Sequence, residues 1–199
     1  MNTALDALIG TDSTSGETPV DHAVVATQDV ATQDVPTQLA ALHPQCFGWA
    51  MACCGRRRQD AEDLLHDVYA GVLETGLRFD GRSTLKTWLF GVIARTARAR
   101  RRRDRLRALL GVRHAARIDA PAPSTAPDDD AVAADRRDRT RRALERLPRR
   151  QREVLLLVFF HDLTIEEAAT VMRVSAGSAR VHYHRGKQRL ASLLSEDRP

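Results

Sequence analysis

The feature that most constrains this chain is a run of helical periodicity between Ala61 and Leu73. Apolar residues fall at Ala61, Leu64, Leu65, Val68, Tyr69, Val72 and Leu73. The spacing follows the 3.6-residue period of an α-helix and lines up one apolar stripe, which must be buried. Asp60 is placed to cap this helix and Gly76 to stop it. The other face carries Asp60, Glu62, Asp63, Asp67 and Glu74, with His66 among them. Such a helix demands further helices to pack against, and the flanking sequence supplies them.

Upstream, Leu39, Leu42, Cys46, Trp49 or Ala50, and Cys53 form another stripe that ends at Gly55, with a start or kink required at Pro44. Downstream, after a loop over residues 77–83, Ser83 can cap a third helix that buries Leu85, Trp88, Leu89, Val92, Ile93 and Thr96. The pattern then turns cationic: Arg95, Arg98, Arg100, Arg101, Arg102, Arg103, Arg105 and Arg107 stand against one acid, Asp104. Guanidinium groups at that density repel each other without a counterion, and phosphate is the natural one.

A composition break follows. Pro121, Pro123 and Pro127, then Asp128, Asp129 and Asp130, read as an extended linker between separate modules. Beyond it, Asp135 to Leu147 is a charged helix that stops at Pro148. A second helix holds the apolar run Val154 to Phe160. Thr164 and Glu167 have the spacing of a capping box that opens a short helix. Arg173 and Val174 make a turn, and Ser175 caps a last helix. Ala179, Tyr183, Gly186, Leu190 and Leu193 are its inner positions, and Ser175, Ser178, Arg180, His182, Arg185, Lys187 and Arg189 its outer ones. A short helix, a tight turn and a basic helix form a helix-turn-helix pattern, which sets the second helix in a DNA major groove.

Residues 1–37 carry a short repeat, VATQD at Val25 and Val30 and VPTQ at Val35, and read as a disordered acidic tail and an inert extension. Residues 1–45 hold six acids and no Lys or Arg. The chain's net charge of +5 therefore becomes +11 for residues 46–199. All but two of its 31 basic residues are Arg, which points the body toward a polyanion. No apolar run approaches a membrane span and no secretory leader is evident, so a cytoplasmic protein without membrane insertion is expected. His43, Cys46, Cys53 and Cys54 can be imagined as zinc ligands, but the apolar neighbours Phe47, Trp49 and Met51 favour buried thiols, and no metal or cofactor is expected. There is no nucleotide-binding loop and no nucleophile at a telling spacing, so no catalytic site is expected.

These residues carry a family resemblance. The run DAEDLLHDVY from Asp60 to Tyr69 resembles the polymerase-binding helix of bacterial sigma factors, DAEDLVQETF. RFDGRSTLKTWL from Arg78 to Leu89 resembles their RFDGRSSLRTWL, and Ile93 to Arg95 their IAR. LPRRQREVLLL from Leu147 to Leu157 resembles the opening of their fourth region, and LTIEEAA from Leu163 with His184 and Arg185 extends the match. Two such modules without a third resemble the extracytoplasmic-function (ECF) subfamily.

The resemblance implies an all-α protein with a region 2-like bundle at 38–113, a flexible linker at 114–134 and a region 4-like helix-turn-helix module at 135–195. It implies a subunit that binds core RNA polymerase through the β′ clamp helices and the β subunit, directs it to promoter DNA and helps to melt it. Asp60, Glu62, Asp63, His66 and Asp67 would dock on the polymerase. Phe79, Asp80, Arg82, Ser83, Thr84, Lys86, Thr87, Trp88, Arg95 and Arg98 would capture the −10 element. Ser175, Ala176, Ser178, Arg180, His182 and Arg185 would read the −35 element. An anti-sigma protein is a further implied partner. The sequence departs from the family at Thr96, Arg100, His66, Tyr183 and Gly186; the last makes its helix softer or sets it closer to its neighbour. The alternative is a helix-turn-helix regulator that works without the polymerase.

Overall fold

The computed structural model describes residues 35–74, 79–110 and 131–196. The tail through residue 34, the stretch 111–130 and Gly76 lie outside the described residues. Within these bounds the chain forms α1 (Val35–Cys53), α2 (Arg58–Leu73), α3 (Leu85–Leu109), α4 (Ala131–Glu145), α5 (Arg149–Phe159), α6 (Ile165–Met172) and α7 (Ala176–Glu196), and no strand. The all-α class is the one expected.

Several element ends differ from the sequence reading, each for a local reason. α1 reaches back to Val35 and runs through Pro44, so its first three residues belong to the segment read as tail. It ends where Gly55 and Arg56 both take left-handed φ of 64° and the Arg56 amide bonds back to the Met51 carbonyl at 2.8 Å. That is the six-to-one closure for which a glycine is suited. α2 starts at Arg58 rather than behind Asp60, with Arg57 at the cap and no side-chain cap bond. Asp60 instead sits in the first turn, paired with Arg57 at 2.6 Å. Thr84, not Ser83, caps α3: its hydroxyl accepts from the Thr87 amide at 3.1 Å. α4 begins at Ala131, four residues ahead of the expected Asp135.

Helices α1, α2 and α3 pack on one another around Leu39, Cys46, Trp49, Ala50, Ala61, Leu64, Leu65, Val68, Leu89, Phe90 and Ile93. The α2 stripe is buried through Val68, but Leu73 at its end is 55% exposed. Trp49 stacks on Phe90 and donates its indole N–H to the Phe90 carbonyl at 3.1 Å. Phe90 belongs to the core although its position lies off the expected α3 stripe.

Helices α4, α5 and α7 build a second core from Ala143, Leu144, Leu147, Leu155, Leu190 and Leu193. The Thr164 capping box is present in full, with both reciprocal bonds. Ser175 accepts from the Ser178 amide at 3.1 Å and caps α7 as expected. Gly186 is buried at a close helix crossing: a Cβ there would lie 3.1 Å from Gln151 Cβ and 3.3 Å from the Gln151 carbonyl oxygen. Closeness, not softness, explains the glycine.

The two modules do not stand apart. Val154 and Leu157 of α5, Leu163, and Ala168, Val171 and Met172 of α6 join the core of the first module, and α3 packs along α6. This explains the nearly continuous apolar run of α5: Val154 and Leu157 face one core while Leu155 faces the other. Phe160, at the end of that run, is exposed.

Candidate nucleic-acid interface

The polar face of α2 is open. Asp63, His66 and Asp67 are exposed, while Asp60 and Glu62 are half-buried. Arginines border this face. Arg58 pairs with Glu62 at 2.7 Å, and Arg100 reaches from α3 to the Asp67 carboxylate and to the Asp63 carbonyl, the latter at 2.8 Å. Arg100 is thus a neighbour of the acidic face rather than a member of a uniform cationic rod.

The rest of the arginine run is divided in the same way. Arg98 points inward, 3.5 Å from the Val171 carbonyl, and Arg101 donates to the Cys53 carbonyl. Burial lowers the pKa of both guanidiniums from their ordinary value. Arg95, Arg102, Arg103, Arg105 and Arg107 are exposed. Spacing alone could not show this split, because it depends on which carbonyls and carboxylates the neighbouring helices present.

The loop ahead of α3 has a defined shape. Asp80 accepts from the Arg82 amide at 3.3 Å, and Gly81 takes a left-handed φ of 71°. Phe79 is half exposed and meets Trp88 edge to face, with centroids 5.8 Å apart. The two rings form an aromatic corner on which a nucleobase can stack. Arg82 is exposed beside it, and Ser83 donates to the Thr84 carbonyl at 3.3 Å.

Three of the expected strand-binding residues are engaged elsewhere. Lys86 donates its ammonium to the His161 carbonyl. Thr87 is 1% exposed and donates its hydroxyl to Glu167 Oε1 at 3.1 Å. Arg98 has the Val171 contact already given. All three partners belong to the second module. His161 fits edge-on against Trp49 and Phe90 at centroid distances of 5.9 and 4.9 Å. Burial, and next the Lys86 charge, depress its pKa to about 4.

On α7, Ser175, Ser178, Arg180 and Arg185 are exposed, and Ala176 and His182 are half-buried. Arg180 pairs with Glu166 of α6, which ties α7 to the helix before it. Arg173 makes the turn between them in the left-handed region, at φ 57°.

Among the described residues no group of three His, Cys, Asp or Glu side chains is placed to hold a metal. Cys46 is fully buried, and burial pushes its thiol up to about 11 and that of Cys53 up to about 12. His43 turns to the Tyr69 hydroxyl at 3.2 Å rather than toward the thiols. No described helix is long and apolar enough to cross a membrane.

Residues 39–107 match the family Sigma-70 region 2, and residues 137–190 match Sigma-70, region 4. The RNA polymerase sigma factor CarQ of Myxococcus xanthus is 32% identical over 137 residues, covering 68% of this chain and 75% of that protein. The ECF RNA polymerase sigma factor SigX of Bacillus subtilis is 30% identical over 131 residues, 65% of this chain and 68% of that one.

The chain belongs to the ECF sigma factors.

A sigma factor directs RNA polymerase to promoters and so starts transcription; it is an initiation factor rather than a catalyst. The region 2 match over residues 39–107 disfavours the alternative of a regulator that works without the polymerase. The fold agrees with solved sigma factors. RpoE of Bartonella quintana, solved with the anti-sigma factor NepR, superposes at a TM-score of 0.59 with 24% identity over 82% of this chain and 98% of that one. CnrH, solved with the cytosolic domain of CnrY, superposes at 0.55 with 22% identity over 81% and 88%.

Proposed function

We propose that this sigma factor divides its task among three surfaces. The acidic face of α2 (Asp60, Glu62, Asp63, His66 and Asp67) docks on the β′ clamp helices of core RNA polymerase. The corner made by Phe79 and Trp88, with Asp80, Arg82, Ser83 and Thr84, receives a base unstacked from the −10 element. Arg95, already exposed, serves that strand, and Lys86, Thr87 and Arg98 join it once they leave their present partners. The N-terminal half of α7 (Ser175, Ala176, Ser178, Arg180, His182 and Arg185) reads the −35 duplex. Arg185 is the side chain best placed for a bidentate guanine contact, worth roughly 1–3 kcal/mol of discrimination. The chemistry of RNA synthesis stays with the polymerase, and the chain acts where that enzyme and the chromosome are, in the cytoplasm. An anti-sigma protein is a natural partner, as NepR is for RpoE.

The observation that carries this reading is the exposure of Asp63, His66 and Asp67 on a helix whose opposite stripe is buried from Ala61 to Val68. Charge reversal there leaves the core untouched, because neither aspartate is buried, and removes one surface ion pair, Arg100 with Asp67. The test is co-purification of the full chain with bacterial core RNA polymerase, wild type against the double variant Asp63→Arg, Asp67→Arg. Stoichiometric binding by the wild type and its loss in the variant are expected. Equal binding by both would remove α2 as the docking surface.

A further inference from the structure

We infer that Val181, on the ridge of α7 farthest from the core, is a specificity residue that reads the methyl group of a thymine within the −35 element. The inference rests on the proposal that α7 reads that duplex. The buried residues of α7 are Ala179, Gly186, Leu190 and Leu193. At about 3.6 residues per turn, the ridge on the opposite side of the helix is Gly177, Val181, His184 and Gln188. All four are exposed. A helix seated in a major groove sends the ridge opposite its own core deepest, and the residues of its N-terminal half meet the base edges.

Nothing inside the protein accounts for Val181. It is 47% exposed and joins neither core. A β-branched side chain is also a poorer helix former than alanine. One turn ahead of it, Gly177 has no packing reason to be a glycine: a Cβ there would meet only Ser175 Oγ, at 4.0 Å. The bare backbone at Gly177 clears the turn in front of Val181 for a close approach to the DNA. His184, one turn further on, lies edge-on to Tyr183 with centroids 5.5 Å apart. Val181 therefore stands at the centre of the approach.

The polar groups around it are partly engaged within the protein. The Ser175 hydroxyl donates to the Ser178 hydroxyl at 2.9 Å and also caps α7. Arg180 is paired with Glu166, and Ala176 has no hydrogen-bonding side chain. Arg185 and His182, on the flank of the ridge, are left to read base edges by hydrogen bonds. Hydrogen-bond readout by α7 is thus narrow, and an apolar contact at its apex carries more of the choice. Among the edges presented in the major groove, the C5 methyl of thymine is the apolar one. Opposite a valine, any other base leaves a donor or acceptor desolvated and unpaired, so Val181 both favours thymine and penalises its competitors.

The test uses holoenzyme formed from bacterial core RNA polymerase and the full-length chain. Duplexes randomised over the promoter region are selected for binding. Each thymine of the −35 element so obtained is then replaced, one at a time, by deoxyuridine, which lacks only the methyl. One replacement should weaken the wild-type holoenzyme by about fourfold, the effect of burying one methyl-sized group. Holoenzyme carrying Val181→Ser should bind the thymine and deoxyuridine duplexes equally, and the isolated variant should keep the wild-type helical circular dichroism. Arg185→Ala should weaken binding to both duplexes and keep the preference for thymine. A −35 element without thymine, a wild type indifferent to every replacement, or a Val181→Ser variant as sensitive as the wild type would overturn the inference. The Arg185→Ala arm separates that failure from a failure of the underlying proposal. Weakened binding by Arg185→Ala beside any of those results leaves α7 on the duplex and removes only the thymine contact. Undiminished binding by both variants removes α7 from the −35 element, and the inference with it.

Discussion

His161 concentrates the physics of this molecule in one side chain. Its ring is buried against Trp49 and Phe90, and its neutral form is favoured by that burial and by the Lys86 ammonium on its carbonyl, with Asp162 acting weakly the other way. The folded-state pKa is about 4, against 6.5 for a free imidazole. As pH falls below 6.5 the unfolded or opened chain takes up the proton first, so stability declines between pH 6.5 and 4. The full loss is about 3 kcal/mol. Urea midpoints measured across that range should drop for the wild type by more than for His161→Phe, which has no proton to gain. Parallel pH profiles for the two proteins would show that His161 is not held neutral. Nothing in the local sequence around His161 announces this role, because its partners Trp49 and Phe90 lie far away along the chain.

At the scale of elements, the caps of α6 and α7 and the buried stripes are where sequence and structure agree most closely. Thr164 with Glu167 and Ser175 with Ser178 were readable because capping depends on residues three apart. The cap of α3 moved from Ser83 to Thr84 because the Thr84 hydroxyl both accepts from the Thr87 amide and donates to the Thr87 hydroxyl at 2.8 Å, a pairing that Ser83 does not make. Gly186 illustrates the opposite case. Propensity alone says that Gly186→Ala should stabilise α7 by about 1 kcal/mol. The close approach of the Gln151 backbone and of Leu155 Cδ1, both at 3.3 Å, reverses the sign. Overpacking against a backbone carbonyl outweighs the propensity gain, and a net loss of about 1 kcal/mol is expected in urea unfolding. A gain would mean that α5 and α7 can move apart freely.

At the scale of the whole molecule, the consequential fact is that two modules share one core. Val154, Leu157, Leu163, Val171 and Met172 bury their side chains together with residues of α1, α2 and α3. Unfolding of the full chain at pH 7 should therefore be a single cooperative transition, with circular dichroism and Trp fluorescence superimposing. His161→Asp should split it into two, as the modules lose their common interior. Two transitions already present in the wild type would mean that the shared contacts add little to either module.

The sequence by itself determined the helical class, the caps of α6 and α7, the acidic face of α2 and the basic face of α7, because each depends on residues within a few positions of one another. The motifs from Asp60 to Tyr69, Arg78 to Leu89 and Leu147 to Leu157 were sufficient to identify the family. Only the tertiary structure decided that Arg98, Arg100 and Arg101 leave the cationic run for carbonyls and a carboxylate on other elements. It alone decided that Lys86 and Thr87 face His161 and Glu167. The physical reason is the same in each case. A side-chain donor bonds whichever acceptor the packing of other helices brings within about 3 Å, and that acceptor can come from any part of the chain.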